Sequence, residues 1–222
     1  MITPETLRPI FLDNHLLVVN KPPGMPAQED ASKDDDLLSI AREFIRIRFD
    51  KPGNVFLGLV HRLDRPASGV MVFARTSKSA ARLSEQFREH QVRKTYWALV
   101  EGRPQESQTL VHYLKKETGR TRVVKEGKGL RAELSFEWKG YQRNAAFLEI
   151  DLKTGRHHQI RAQLSAIGHP LLGDLRYGAR NKFDGQNIAL HARRIVLMHP
   201  TQKSEIIFEA DPPPSWKGFI SR

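Results

Sequence analysis

The sequence contains no cysteine among its 222 residues. Disulfide bonds, thiolate nucleophiles and cysteine-ligated zinc or iron–sulfur sites are therefore excluded. Long apolar runs are also missing, because the longest, such as residues 16–19, have only the length of a strand, and the mean hydropathy is −0.50. A membrane-spanning helix needs about 20 apolar residues. Neither such a span nor a secretory signal is predicted, and we expect a cytoplasmic protein.

Several motifs of common enzyme classes are absent too. There is no Walker phosphate loop, no glycine-rich dinucleotide fingerprint and no Gly-x-Ser-x-Gly elbow, so nucleotide hydrolysis, NAD chemistry and esterase chemistry have no support. A metal site is not expected either, since adjacent His157 and His158 would point about 100° apart on a helix. His61 and His191 fit structural hydrogen bonding better than metal ligation.

Acidic residues are outnumbered, with 25 Asp and Glu against 36 Lys and Arg and a formal net charge of +11. Such a surplus indicates a polyanionic partner, with nucleic acid first, although a basic solvated surface is the alternative. The charge is unevenly placed: residues 115–131 hold seven cations and two acids, whereas residues 29–36 hold five acids and one cation. We expect an electrostatic footprint in the first of these segments, and its leading candidates are Lys115, Lys116, Arg120 and Arg122.

The hydrophobic pattern predicts more strands than helices. Apolar runs of strand length occur at residues 16–19, 55–60, 70–74, 95–100, 132–138, 145–152, 188–196 and 205–209, with hairpins around 108–130. Amphipathic helices are predicted over residues 35–49, 77–89 and 157–167; the first has an apolar stripe of Leu37, Ile40, Ala41, Phe44 and Ile47. The pattern predicts an α+β fold with a mixed, mostly antiparallel sheet flanked by helices. We expect one domain over residues 1–222, with a core over about 10–210, and order ending at the proline run 212–214.

One acid stands out among basic neighbours. Asp64 follows His61 and Arg62 and precedes Arg65, just before a turn. A carboxylate kept ionised beside an anionic polymer can act as a nucleophile or a general base. The neighbouring arginines could bind phosphates through paired hydrogen bonds.

A second informative segment is residues 154–161, which read Thr-Gly-Arg-His-His-Gln-Ile-Arg. If a helix begins near Arg156, then His157 and Arg161 share one of its faces. Cations at a helix N-terminus oppose the helix dipole unless an anion offsets them. Asp64 is the attractive partner for Arg161; two unrelated local features are the alternative.

Two further residues have a structural and a functional interpretation. Lys21, in the Asn-Lys-Pro-Pro-Gly segment 20–24, lies either in a simple strand-ending turn or in a rigid loop beside RNA or the catalytic pocket. Tyr96 is either an ordinary strand residue or a ring that stacks on a base and relays a proton.

Together these segments resemble RluA-type pseudouridine synthases, and the likeness runs from about residue 10 to residue 210. The motifs occur in the family order, at residues 20–24, 61–64 with 68–69, 94–96, 154–161 and 168–174. The resemblance implies isomerisation of selected uridines in structured rRNA or tRNA to pseudouridine, without cofactor or metal. It also implies a single catalytic domain with a central RNA-binding cleft.

The resemblance assigns roles residue by residue. Asp64 corresponds to the catalytic aspartate, Tyr96 to the ring that stacks on the target base, and Arg161 to the arginine paired with the aspartate. Arg62 corresponds to a residue that can enter the RNA where the base leaves, and Ile160 can line the pocket. The other candidate RNA contacts are Lys21, His61, Arg156, His157 and the four cations of residues 115–131.

The sequence departs from the family pattern only slightly, since Ala162-Gln163 replaces the usual Val-His. No leading S4-like RNA-binding module is expected, so RNA affinity would come from the domain itself. Two other interpretations stay open. One is a non-catalytic RNA-binding or ribosome-assembly factor; the other is a carboxylate glycosidase, which usually needs a second acid. A monomer is the default expectation.

Overall fold

The computed structural model describes residues 2–220 and divides them into two compact units. Unit 1 comprises residues 2–92 and 194–211, and unit 2 comprises residues 93–193 and 212–220. None of the helices in residues 2–220 is long and apolar enough to cross a membrane. The expectation of one domain over the whole chain stays a prediction, and residues 1, 221 and 222 lie outside the described part.

Unit 1 contains short antiparallel strands and two helices. Strand β1 pairs with β2, β2 pairs with β4, β3 pairs with β4, and β10 pairs with β11. The elements are β1 (Pro9–Leu12), β2 (Leu16–Lys21), α1 (Leu37–Arg48), β3 (Gly58–Leu59), β4 (Ser68–Ala74), α2 (Ser77–Arg88), β11 (Glu205–Glu209) and the second half of β10 (Leu190–Met198). Its core joins the two parts of the sequence, because Ile195, Leu197 and Phe208 pack with β2 and β4.

Each of the two helices of unit 1 begins directly after a residue whose side chain caps it. The carboxylate of Asp36 accepts a hydrogen bond from the backbone N–H of Ser39, and Thr76 caps α2 in the same way. The predicted apolar stripe of α1 is wrong at one position, since Ile47 is 50% exposed and Ile45 is buried instead. The buried face of α1 is therefore rotated around the helix axis relative to the predicted one.

Unit 2 is an antiparallel sheet in the order β5-β9-β8-β6-β7. Burial alternates along β9, as expected for strands with one face against a core. On the β6–β8 part, Leu114 and Ala132 pack against Ala162 and Tyr177. The elements are β5 (Arg93–Glu101), β6 (Ser107–Glu117), β7 (Arg120–Val124), β8 (Leu130–Gln142), β9 (Ala145–Leu152), α3 (Gln159–Ala166) and short 3₁₀ helices at Leu175–Tyr177 and Pro214–Trp216.

The α+β class and the mostly antiparallel pairing are confirmed, whereas some boundaries are wrong. Strand β1 was not predicted; an Asp13 side chain that accepts from two backbone N–H groups turns it tightly into β2. Only residues 58–59 of the predicted strand 55–60 form one. Order does not end at the proline run, because Trp216 beyond it is 1% exposed and packs with Leu99.

Candidate active site

Asp64 lies in the connection between β3 and β4 of unit 1. Its backbone carbonyl accepts a hydrogen bond from the N–H of Ala67 at 3.0 Å, which closes a turn. Leu63 and Ala67 on either side are buried and anchor that turn, while the Asp64 side chain is half-buried and Arg62 is exposed. The turn therefore fixes the backbone of the predicted catalytic acid, and the residue stays partly exposed.

Lys21, at the end of β2, is completely buried. Its ammonium donates to the carbonyl oxygens of Pro22, Met25 and Arg65 at 2.9, 2.8 and 3.0 Å. Burial lowers the pKa of Lys21 to about 7, and the nearby carboxylate of Asp64 opposes that shift. Of the positions expected for Lys21, the one beside the predicted catalytic pocket agrees with its proximity to Asp64, whereas a fully buried side chain has no surface to offer to RNA.

Arg65 is held by the acidic segment 29–36. Its Nε donates to the Gly24 carbonyl at 2.9 Å, Nη1 donates to the Ser32 hydroxyl at 3.0 Å, and Nη2 pairs with Asp34. The hydrogen bond from Arg65 also lowers the pKa of Asp34. The backbone of Arg65 is tied as well, because its carbonyl accepts from the Gly24 N–H at 2.9 Å. The guanidinium expected to bind phosphate thus serves, in this structure, to join two loops beside Asp64.

His61 has a structural environment. Its Nε2 accepts a hydrogen bond from the backbone N–H of Val72 at 2.9 Å. Its ring stacks on Phe87 of α2 with centroids 4.8 Å apart. These contacts favour the structural interpretation of His61, and its contact with RNA stays a prediction.

In unit 2, Arg161 of α3 forms a buried ion pair with Asp174. Arg161 Nε lies 2.7 Å from one carboxylate oxygen and Nη2 lies 2.9 Å from the other, and the two side chains are only 6% and 1% exposed. Gly173 makes this placement possible, because its φ is +82° and a Cβ there would lie 2.3 Å from the Asn187 carbonyl oxygen. The guanidinium carbon also lies 4.9 Å from the ring centre of Tyr177.

Tyr177 connects Arg161 to the β6–β7 hairpin (residues 107–124). Its hydroxyl accepts from the backbone N–H of Thr121 in β7 at 2.7 Å and lies 2.9 Å from Nδ1 of His158. The ring of His157 stacks on His158 at 3.8 Å, and its Nδ1 lies 2.8 Å from the Thr121 hydroxyl. Burial raises the pKa of Tyr177, so the phenol stays protonated at neutral pH.

The predicted start of α3 is wrong. His158 is the N-cap residue in the left-handed region, with φ 49°, and the helix begins at Gln159. The side-chain oxygen of Gln159 accepts from the Arg156 N–H at 3.0 Å and from the Thr154 hydroxyl at 2.7 Å, which stabilises the turn before the helix. His157 and Arg161 therefore do not share a helical face.

Asp174 was missed as a functional candidate. The sequence signal was present, since this acid ends the motif at residues 168–174, so the motifs contain a second acid besides Asp64. Asp174 is nevertheless buried and engaged with Arg161, which gives no support to a glycosidase acid. The pairing of Arg161 with Asp64 stays a prediction.

Three other predicted residues occupy ordered positions in unit 2. Tyr96 lies in β5, opposite Ile150 of β9, and is half-buried. Ile160 is 5% exposed in the first turn of α3. Arg156 Nε donates to the backbone carbonyl of Arg131 at 3.2 Å. Their positions in the fold are thus defined, whereas their contacts with a substrate stay predictions.

The β6–β7 hairpin displays the four predicted cations on its surface. Lys115, Lys116, Arg120 and Arg122 are all exposed. Lys115 lies directly opposite Arg122 in the ladder, and like charges in that position destabilise a sheet unless an anion lies nearby. Glu117 compensates only in part, at 3.7 Å from Arg120 and 3.9 Å from Arg122. This exposed, only partly compensated positive charge suits the binding of a polyanion.

A solved structure shares this fold. The human protein RNA pseudouridylate synthase domain containing 4 superposes with a TM-score of 0.79 at 23% identity, covering 96% of this chain and 94% of its own. The fold is thus that of a pseudouridine synthase domain. The family model described as RNA pseudouridylate synthase matches residues 15–166.

Curated relatives agree with this match. Ribosomal large subunit pseudouridine synthase D of Zymomonas mobilis is 34% identical over 217 residues, or 92% of this chain and 68% of the relative. tRNA pseudouridine synthase C of Vibrio parahaemolyticus is 30% identical over 100% of this chain and 96% of the relative. The chain spans 62% of a third relative, ribosomal large subunit pseudouridine synthase C of Buchnera aphidicola, at 37% identity. The chain belongs to the RNA pseudouridylate synthase family, whose activity is the isomerisation of uridine in RNA to pseudouridine.

Proposed function

We propose that this chain converts selected uridines of structured RNA to pseudouridine with Asp64 as the catalytic residue. The observation that carries this assignment is the Asp64 turn, whose backbone is tied by Ala67 and whose carboxylate lies in the field of the buried Lys21. A positive group nearby favours the ionised carboxylate that the chemistry needs. The motif around Asp64 matches the family residue by residue.

The reaction changes the atom through which the base is bonded to the ribose. The bond between N1 and ribose C1′ breaks, a bond between C5 and C1′ forms, and the hydrogen on C5 is finally replaced by one on N1. The free base must be retained between these steps, so the site has to close around it. Asp64 acts first as a nucleophile on the ribose or the base, or as a base on a ribose proton. No redox change occurs, and we propose that neither metal nor cofactor takes part.

Arg161 and Tyr96 complete the proposed catalytic set. Arg161 keeps the catalytic carboxylate ionised and oriented, as the resemblance implies. Tyr96 stacks on the flipped base and offsets part of the few kcal/mol that flipping costs. Arg62, which is exposed beside Asp64, takes the place that the base leaves in the RNA.

For the substrate we propose rRNA of the large subunit or tRNA. The named relatives support both, since two are ribosomal enzymes and one is a tRNA enzyme. The basic β6–β7 hairpin supports a structured polyanion of either kind. We further propose that the protein acts in the cytoplasm as a monomer.

Pseudouridine mapping over total cellular RNA tests this proposal. RNA is compared from cells with the wild-type protein, without it, with Asp64→Asn, and with the exposed control Asp35→Asn. We expect at least one uridine to be modified only with the wild-type and control proteins. With purified protein, Asp64→Asn should lower turnover by about a thousandfold or more while RNA affinity stays within about twofold. Full activity of Asp64→Asn, or equal loss of binding and turnover, would contradict the catalytic role.

A further inference from the structure

The guanidinium of Arg161 is held on two sides by buried groups of unit 2. Asp174 engages one edge through two hydrogen bonds, and the ring of Tyr177 lies 4.9 Å from the guanidinium carbon. Asp174 and Tyr177 are three residues apart, joined by the Tyr177 N–H and the Asp174 carbonyl at 2.9 Å. One short 3₁₀ turn therefore carries both contacts.

We propose that Asp174 and Tyr177 are positioning residues for pseudouridine formation, which fix the orientation of the Arg161 guanidinium. This inference rests on the proposed catalytic role of Arg161. It adds that the arginine does not act as a freely moving cation, because its supporting groups set the direction in which its other N–H groups donate.

The hydrogen-bond geometry of the Arg161–Asp174 pair supports this role. A guanidinium carries five N–H donors in a planar fork. Because Nε and Nη2 are bound in parallel by one carboxylate, the plane and the rotation of the group are both defined, and Nη1 is directed to the opposite side. Burial of both partners strengthens these bonds and makes other rotamers costly.

Tyr177 adds a restraint that Asp174 alone does not supply. The Tyr177 ring opposes rotation of the Arg161 guanidinium out of the plane that Asp174 defines. The Tyr177 hydroxyl is in turn fixed by the Thr121 N–H and by His158. The turn is fastened to α3 as well, because the Ser165 hydroxyl donates to the Tyr177 carbonyl at 2.6 Å. Since Arg120 and Arg122 flank Thr121, the hydrogen bond from the Thr121 N–H to the Tyr177 hydroxyl joins the basic hairpin to the support of Arg161.

Tyr177→Phe is the sharpest test, because it keeps the ring beside Arg161 and removes only the hydroxyl. The probe is total RNA from cells that lack the enzyme, labelled with tritium at C5 of uridine, since that tritium is lost when C5 joins the ribose. We expect kcat to fall about tenfold and KM to stay within about twofold. The matched control is Tyr141→Phe, whose hydroxyl donates to Asn144 elsewhere in unit 2. Thermal unfolding is followed in parallel so that rates are compared only among folded proteins.

Asp174→Asn and Asp174→Glu form a second pair of variants. We expect Asp174→Asn to lower kcat about a hundredfold, and Asp174→Glu, which retains the charge, to recover part of the rate. Wild-type kcat in folded Tyr177→Phe and Asp174→Asn would overturn the proposal. If Asp174→Asn does not fold, the kcat of Tyr177→Phe alone tests the proposal.

A double-mutant cycle separates positioning from simple stability. If Tyr177 acts through Arg161, then Tyr177→Phe should lower the residual rate of Arg161→Lys by less than about twofold. Equal tenfold losses in both backgrounds would overturn the positioning role. Wild-type kcat in Arg161→Lys would instead contradict the proposed function of Arg161 itself, so the two failures are distinguishable.

Discussion

Lys21 shows how much structure a single buried charge can organise. Lysine is rarely buried completely unless its ammonium is satisfied. Here three backbone carbonyls, from Pro22, Met25 and Arg65, accept its three donors and thereby join the end of β2 to the turn that carries Asp64. These three hydrogen bonds offset the free-energy cost of burying the charge, and they fix the geometry of the two loops that they join.

This burial predicts a pH dependence of stability. The pKa of Lys21 falls from 10.5 in the unfolded chain to about 7 in the folded protein. Between these values the unfolded chain holds a proton that the folded protein has released, so the free energy of unfolding rises with pH, by up to about 1.4 kcal/mol per unit. Below about pH 7 the lysine is charged in both states and the gain is absent.

Urea unfolding of the wild type and Lys21→Met at pH 7, 8, 9 and 10 measures this effect. The stability of the wild type relative to Lys21→Met should increase across the series. The exposed control Lys78→Met should follow the wild type in parallel. A constant difference between wild type and Lys21→Met would show that the three carbonyls keep the lysine protonated throughout.

At the residue scale, the sequence predicted which residues are candidates for the site better than it predicted which groups surround them. The motif order was enough to select Asp64, Arg161 and Lys21 as candidates. It did not reveal that Lys21 is buried, or that Asp174 binds Arg161. Both contacts depend on how the intervening chain folds, over 44 residues between Lys21 and Arg65 and over 13 between Arg161 and Asp174. The acid directly after Gly173, at the end of the motif 168–174, was the available sequence signal for Asp174.

At the element scale, the β6–β7 hairpin has two different faces. Lys115, Arg120 and Arg122 lie on its exposed face, whereas Leu114 and Thr121 face the core beside α3. The same strands therefore display charge outward and support Tyr177 inward. This division follows from the alternation of side chains along a strand.

Reversing the charge of Lys115 and Arg122 together should weaken RNA binding and its salt dependence. Each lost phosphate contact lowers the slope of log affinity against log salt by about 0.7 to 0.9. For the loss of two contacts we therefore expect the slope to decrease by about 1.4 to 1.8 in Lys115→Glu/Arg122→Glu, measured by filter binding at several salt concentrations. The control Lys51→Glu/Lys78→Glu has the same net charge and should change the slope less. Equal slopes for the two double variants would refute a local binding surface.

Helices were predicted more accurately than strands because their ends have local chemical signals. Asp36 and Thr76 mark the first turns of α1 and α2. The start of α3 depends instead on a side-chain hydrogen bond of Gln159, which the hydrophobic period does not encode. Likewise β3 is short because pairing with β4 involves only two residues, and pairing partners cannot be read from one segment.

At the scale of the whole molecule, unit 1 is not a continuous piece of chain. Its core combines Val18 of β2 and Val72 of β4 with Ile195, Leu197 and Phe208 from the segment 194–211. The division at residues 92 and 193 was not predicted, because it is made by long-range packing and not by composition. The α+β class could be predicted, whereas this interleaving could not.

A fragment of residues 1–92 should therefore fail to fold. Joining it through a flexible linker to residues 194–211 should restore a cooperative urea transition, because the missing apolar side chains return to the core. Phe208→Asp in the joined protein is the matched control and should abolish that transition. Circular dichroism checks each protein, and cooperative unfolding of the fragment alone would contradict the expectation.

The interleaving of unit 1 has a consequence for how the protein is made. Strand β4 leaves the ribosome about 120 residues before the segment that completes the core, and β2 leaves it earlier still. At 5 to 20 residues per second, the apolar side chains of β4 wait roughly 6 to 24 seconds for their partners, and those of β2 wait longer. A nascent chain in that interval presents an unfinished hydrophobic surface to the cell. During that period the fold does not yet protect these side chains from aggregation.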